Sequence, residues 1–103
     1  MVLTITVLNQ KKVPGVGLFT TGRMNYSGAY TVGGESNANL LGALKGYNTI
    51  DSINFVPSNN ISATYDSSTQ KVRMLSNVTG VGTELAGGNT PAPGSVGFSI
   101  ISR

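Results

Sequence analysis

The chain is 103 residues long, enough for one domain, read as 1–103, and too short for two. It contains no cysteine and no histidine, which excludes disulfides, thiolate metal sites and the commonest general base at neutral pH. Charged residues make up 11% with a net charge of +3, so polarity comes from Ser, Thr and Asn, which suits a surface packed against neighbours and also a robust extracellular β domain.

Met1 to Asn9 alternates as a strand, with Leu3, Ile5 and Val7 on one face and Thr4 and Thr6 on the other. The segment is apolar but short and lacks a basic n-region and a small-residue cleavage site, so it reads as a strand and not a signal peptide. Asn9-Gln10-Lys11-Lys12 reads as a polar turn and Pro14-Gly15 as a second bend. From Val16 to Tyr26, Val16, Leu18, Thr20, Met24 and Tyr26 share one parity, while Gly22 suggests a bulge or a break into two strands. The pair Gly33-Gly34 suggests positive φ or close backbone approach; no Lys follows at the spacing a phosphate loop needs. Ser36–Leu44 is the one helical candidate, capped by Ser36 or Asn37, with Leu40, Leu41 and Leu44 on one side and Gly46 closing it.

Strand character returns at Thr49–Val56, with Ile53 and Phe55 opposite Ile50, Asn54 and Val56, and stops at Pro57. Ile61–Leu75 is the clearest hairpin, turning at Asp66-Ser67-Ser68-Thr69, where the Asp carboxylate suits nearby backbone amides. Ser76–Ser95 is rich in Gly, Asn and Pro, poor in apolar anchors, and long enough to suggest a functional or a disordered loop. Val96, Phe98 and Ile100 mark a final strand. Six to eight short strands with one short helix or 3₁₀ turn predict an all-β domain, a sandwich or a jelly-roll or barrel-like fold.

Little in the sequence carries catalytic chemistry. There is no G-x-S-x-G elbow, and without His a serine triad is incomplete. The four carboxylates, Glu35, Asp51, Asp66 and Glu84, lie at least a full element apart, which argues against a calcium loop. A glycosidase-like pair of Asp51 and Asp66 is outweighed by the turn role of Asp66 and by the position of Asp51 at a strand start. The chain therefore reads as non-enzymatic, with no catalytic residue, cofactor or metal. Seven scattered basic residues without aromatic platforms read as solvated strand ends, not as a nucleic-acid site. No stretch approaches the about 18 apolar residues of a membrane helix. Asn25-Tyr26-Ser27, Asn60-Ile61-Ser62 and Asn77-Val78-Thr79 match the glycosylation pattern at a frequency this composition produces by chance.

One ordered set of residues says more than any single motif. Tyr30-Thr31-Val32-Gly33-Gly34-Glu35 is followed by Leu40 or Leu44, then Ile50-Asp51-Ser52-Ile53, Pro57, and Ala63-Thr64-Tyr65-Asp66-Ser67-Ser68-Thr69-Gln70-Lys71-Val72. In order and spacing this middle half of the chain resembles the small head decoration, or cement, proteins of tailed bacteriophages. It departs from them in the glycine-rich Val13–Met24 stretch and the Pro-containing Gly80–Gly94 loop.

The resemblance implies a virion structural protein, made in the host cytoplasm, that binds the outer surface of an assembled shell of major capsid protein as a small oligomer. A homotrimer is favoured over a dimer. Expected partner contacts are Val2 and Leu3 in the N-terminal arm, then Tyr26, Tyr30, Gly33, Gly34 and Glu35 around the Gly28–Glu35 turn. Glu84, Leu85, Asn89, Pro91 and Pro93 in the long loop complete the set. The alternative is a phage tail or adhesin β module that binds a host surface glycan, against which the absence of Trp counts.

Overall fold

Alternation of apolar and hydroxyl-bearing residues, broken by Gly and Pro, leaves this chain little choice but strands. A computed structural model of the chain describes residues 1–58, 60–76 and 82–103. In chain order the elements are β1 (Val2–Val13), β2 (Gly17–Ser27), β3 (Glu35–Ser36), α1 (Ala38–Gly42), β4 (Ile50–Val56), β5 (Ile61–Asp66), β6 (Lys71–Ser76), β7 (Thr83–Glu84) and β8 (Gly94–Ser102). They form two antiparallel sheets. The first runs β1-β2-β8-β4; the second runs β3-β6-β5, with β7 also paired to β6. Of the expected all-β architectures, the two-sheet sandwich is the one formed.

The sheets share one core. Met24 and Tyr26 of β2 and Val96, Phe98 and Ile100 of β8 meet Ile61, Ala63, Val72 and Met74 of the second sheet. The larger aliphatic and Phe and Met side chains among these each contribute about 1.5–3 kcal/mol on leaving water, so this shared face dominates the stability of a domain with so few charges. Leu40 and Leu44, on and just after α1, enter the same cluster, and Leu41 packs beside it. The helix is shorter than the Ser36–Leu44 segment suggested. Asn37 is its N-cap residue but makes no side-chain capping bond, while the Ser36 hydroxyl accepts from the Ala38 amide at 3.2 Å. Packing therefore holds α1 more than capping does. Gln10 donates to the Ala43 carbonyl at 2.8 Å, and Asn39 donates to the Leu3 carbonyl, which ties α1 to β1.

Four local expectations are corrected. Asn9–Lys12 is not a turn: β1 continues to Val13, and Gln10 faces Thr20, whose buried hydroxyl accepts from the Gln10 amide at 3.1 Å. The chain reverses only beyond Val13, where Val16 N–H reaches the Val13 carbonyl at 3.0 Å and Gly15 takes a φ of 76°. Gly22 does not break β2. The irregularity lies opposite it, where the register steps from Val7↔Gly22 to Asn9↔Thr21 and leaves Leu8 unpaired. Gly22 is glycine because a Cβ there would stand 2.2 Å from the Thr6 carbonyl oxygen and 3.0 Å from the Phe98 ring.

In β4, a register shift between Ile50 and Ser52 brings Ile50 to the core side with Ile53 and Phe55 instead of opposite them. Finally, Ser76–Ser95 is not free of structure. It contains β7 and the buried Leu85 as an anchor; its residues 77–81, with the Asn77 pattern, lie outside the described residues.

Candidate protein-interaction site

The three stretches singled out in the sequence come together through the Gly28–Glu35 turn. Gly28 (φ 87°) ends β2, and Tyr30 then drops into the core with 2% of its surface exposed. Its hydroxyl donates to Glu84 Oε2 at 2.6 Å and accepts from the Met74 amide at 3.4 Å. The same Glu84 oxygen accepts from Gly33 N–H at 2.9 Å. One carboxylate on β7 therefore clasps both a buried phenol and the backbone of the turn.

The backbone completes the clasp. Tyr30 N–H donates to the Asn89 carbonyl at 2.8 Å, and Gly88 N–H donates to the Tyr30 carbonyl at 2.9 Å. Leu85 N–H donates to Met74 at 3.0 Å, and the Leu85 side chain is buried. The turn closes on itself through Gly34 N–H to Thr31 at 3.1 Å, while Glu35 accepts from Thr31 N–H at 2.8 Å. The Met1 amine donates to the Ala29 carbonyl and stands 3.5 Å from Glu35. Val2, Leu3 and Glu35 line one shallow depression with Met1, Ser36 and Asn39.

Glycine is required twice here. Gly33 (φ 94°) and Gly34 (φ 115°) both lie in the left-handed region. Gly34 is also crowded: a Cβ would stand 2.9 Å from Lys71 Cβ and 3.0 Å from the Val72 carbonyl oxygen, whereas Gly33 faces open space. The electrostatics follow the bonds. Burial first, and then the bond to Glu84, push the Tyr30 hydroxyl up to about 12. The Tyr30 bond, followed by the Gly33 amide, holds the Glu84 carboxyl below its ordinary value. Both shifts favour a neutral phenol donating to an ionised carboxylate.

The expected contact residues divide by burial. Leu3, Tyr26, Tyr30 and Leu85 are buried packing residues, and Gly34 is buried against β6, so the side chains of the two tyrosines are core and not exposed anchors. Tyr26 is pushed above its ordinary value by that burial. Glu84 is occupied in holding the turn. What faces outward is Val2 (60% exposed), Asn89 and Pro93, with Gly33, Glu35 and Pro91 half-buried. Sequence reasoning passed over Val32, which is 62% exposed and lies close to Gly87 of the long loop. An aliphatic residue directly before a glycine pair in a turn was the available signal.

The two other carboxylates are engaged in contacts of their own. Asp51 is held by Arg103 Nε, 2.9 Å from both carboxylate oxygens. Asp66 accepts from Ser68 and Thr69 and pairs with Arg73 at 3.1 Å. Among the described residues no group of three or more acidic side chains is placed to hold a metal ion, and no helix is long and apolar enough to cross a membrane. Comparison with protein-family models, with curated proteins and with solved structures returned no match.

Proposed function

We propose that this chain is a non-enzymatic virion structural protein of the capsid-decoration kind, which binds the outer surface of an assembled shell of major capsid protein and stabilises it as a small oligomer, a trimer by preference. The observation that carries the reading is the clasp. The N-terminal residues, the Gly28–Glu35 turn and residues 84–89 are joined to one another by the Glu84, Tyr30 and Glu35 bonds. The Tyr30–Glu35 segment that opens the residue set resembling cement proteins forms the turn of this clasp.

Physical considerations support it. Holding residues 84–89 in place before binding reduces the ordering cost that a free segment would add on docking. Small oligomers that bridge several shell subunits reach useful avidity from modest individual contacts. Stabilisation follows when the assembled shell is bound and its free subunits are not.

The deciding experiment mixes purified protein with undecorated tailed-phage capsids and images them. Regular added density on the outer surface, together with slower hydrogen exchange at residues 84–89, is the expected result. Binding to host-surface glycans with no binding to capsids would overturn the reading in favour of an adhesin module.

A further inference from the structure

Every carboxylate side chain in this chain is engaged within it. Glu35 accepts from Thr31, Asp51 holds Arg103, Asp66 holds its own turn and Arg73, and Glu84 holds Tyr30 and Gly33. Seven basic residues stand against these four. With the described residues, Lys11 and Arg23 form neither an ion pair nor a side-chain hydrogen bond.

Both lie on the outer face of the first sheet. Along β2 and β8, buried Leu18, Met24, Tyr26, Val96, Phe98 and Ile100 alternate with the outward set. The register places Thr6, Arg23, Gly97 and Val56 in one row across β1, β2, β8 and β4, and Asn9, Thr21, Ser99 and Asn54 in the next. These side chains are short and uncharged except for Arg23, and the carboxylate at the rim, Asp51, is already bound to Arg103.

Gly97 makes a slot in this face. It has no side chain, and its neighbours in the row are Arg23 on one side and Val56 on the other, about 10 Å apart across two inter-strand spacings. Leu8, turned out by the β1 irregularity and 66% exposed, and Val56, 63% exposed, give the depression apolar walls; Thr21 and Pro57 complete it. A guanidinium between exposed aliphatic groups matches a carboxylate carried beside an aliphatic side chain. Two cations, Arg23 and Lys11, and one exposed aromatic, Phe19, four residues from Arg23 along β2, fall short of the basic groove with successive stacking platforms that a nucleic-acid strand needs. A second copy of this chain is also a poor occupant: it would bring Arg23 and Lys11 but no uncommitted carboxylate side chain.

We infer that the Arg23–Gly97–Val56 slot on the outer face of the first sheet docks a different protein, through a segment that presents a carboxylate next to a branched aliphatic residue. This surface is separate from the Gly28–Glu35 clasp, and the inference stands whatever that clasp binds.

The test is a ¹⁵N NMR titration of the whole chain with a capped Val-Glu-Val-Glu-Val peptide at low salt, with the Gln-for-Glu peptide as control. Amide shifts are expected to concentrate at Thr21, Arg23, Val56 and Gly97. Arg23→Gln, an exposed change, is expected to weaken binding about fivefold. Gly97→Ala keeps every charge and adds a Cβ 3.4 Å from Val56 Cβ, an ordinary contact, so the sheet tolerates it while the slot is filled; a similar loss is expected. Equal binding of the Gln peptide, shifts centred on Lys12 and Lys45, or unchanged binding by Gly97→Ala would each overturn the inference.

Discussion

Asp66 and Glu84 are both carboxylates that organise a turn, and they do so over very different sequence distances. Asp66 accepts from Ser68 and Thr69, two and three residues onward, within the β5–β6 connection. Glu84 accepts from Gly33 and Tyr30, 51 and 54 residues away. The first turn needs only its own tetrapeptide and is finished by strand pairing. The second needs β2, β6 and β7 already in place before its bonds exist. A local turn is set by residue type, whereas a long-range clasp depends on the assembled sheets and links their stability to loop order.

That contrast is most directly broken at Tyr30. Tyr30→Ala removes a buried aromatic and the donor to Glu84 together, and is expected to cost about 3–5 kcal/mol in denaturant unfolding. Faster hydrogen exchange at Gly33, Gly88 and Leu85 should accompany the loss. If exchange there were unchanged, the clasp would not depend on Tyr30.

A finer division separates the two glycines. Gly34→Ala combines positive φ with a backbone clash and is expected to destabilise by about 2–3 kcal/mol. Gly33→Ala meets only the conformational cost, about 1 kcal/mol. Equal losses in urea midpoints at unchanged slope would show that crowding against β6 is not decisive.

The pH dependence has a defined sign. Tyr30 is raised from 10.0 to about 12, so the stability it contributes is complete below pH 10 and is lost as pH rises toward 12. Tyr26, raised by burial, adds a change of the same sign. Tyr30→Phe should flatten part of this alkaline decline in Tm and leave the Tyr26 part. On the acid side, Glu84 and Asp66 are both held low, so their contributions are complete above their unfolded values and fade as pH falls below them. Glu84→Gln should reduce that acid limb while loosening residues 84–89. The smallest effect belongs to Asp66→Asn, which keeps a turn-forming acceptor but loses the charge that Ser68, Thr69 and Arg73 favour; its urea midpoint at pH 7 should fall slightly below the parent.

The legible features of the sequence were those with local causes. Alternation in Leu18–Tyr26 and Val96–Ile100 grouped the residues that share a face, and Asp66-Ser67-Ser68-Thr69 predicted its own hydrogen bonds. Gly33-Gly34 announced positive φ. The misread positions each depended on a distant neighbour. Gly22 signals close approach only when Thr6 and Phe98 are beside it, and the extra residue sits in β1, where no glycine marks it. Tyr26 and Tyr30 look like wet-edged anchors until the second sheet covers them.

Residue type and spacing by themselves determined that this chain is all-β, free of thiol and imidazole chemistry, and punctuated at definite turns, because strand periodicity and turn preference act within a few residues. Only the tertiary structure decided which parity of β1 and β4 faces the core beyond each irregularity, that Glu84 closes on Tyr30, and that Arg23, unpaired among the described residues, stands beside a glycine slot. Those outcomes rest on register between strands remote in sequence, and a one-residue step in register sends a side chain to the opposite face.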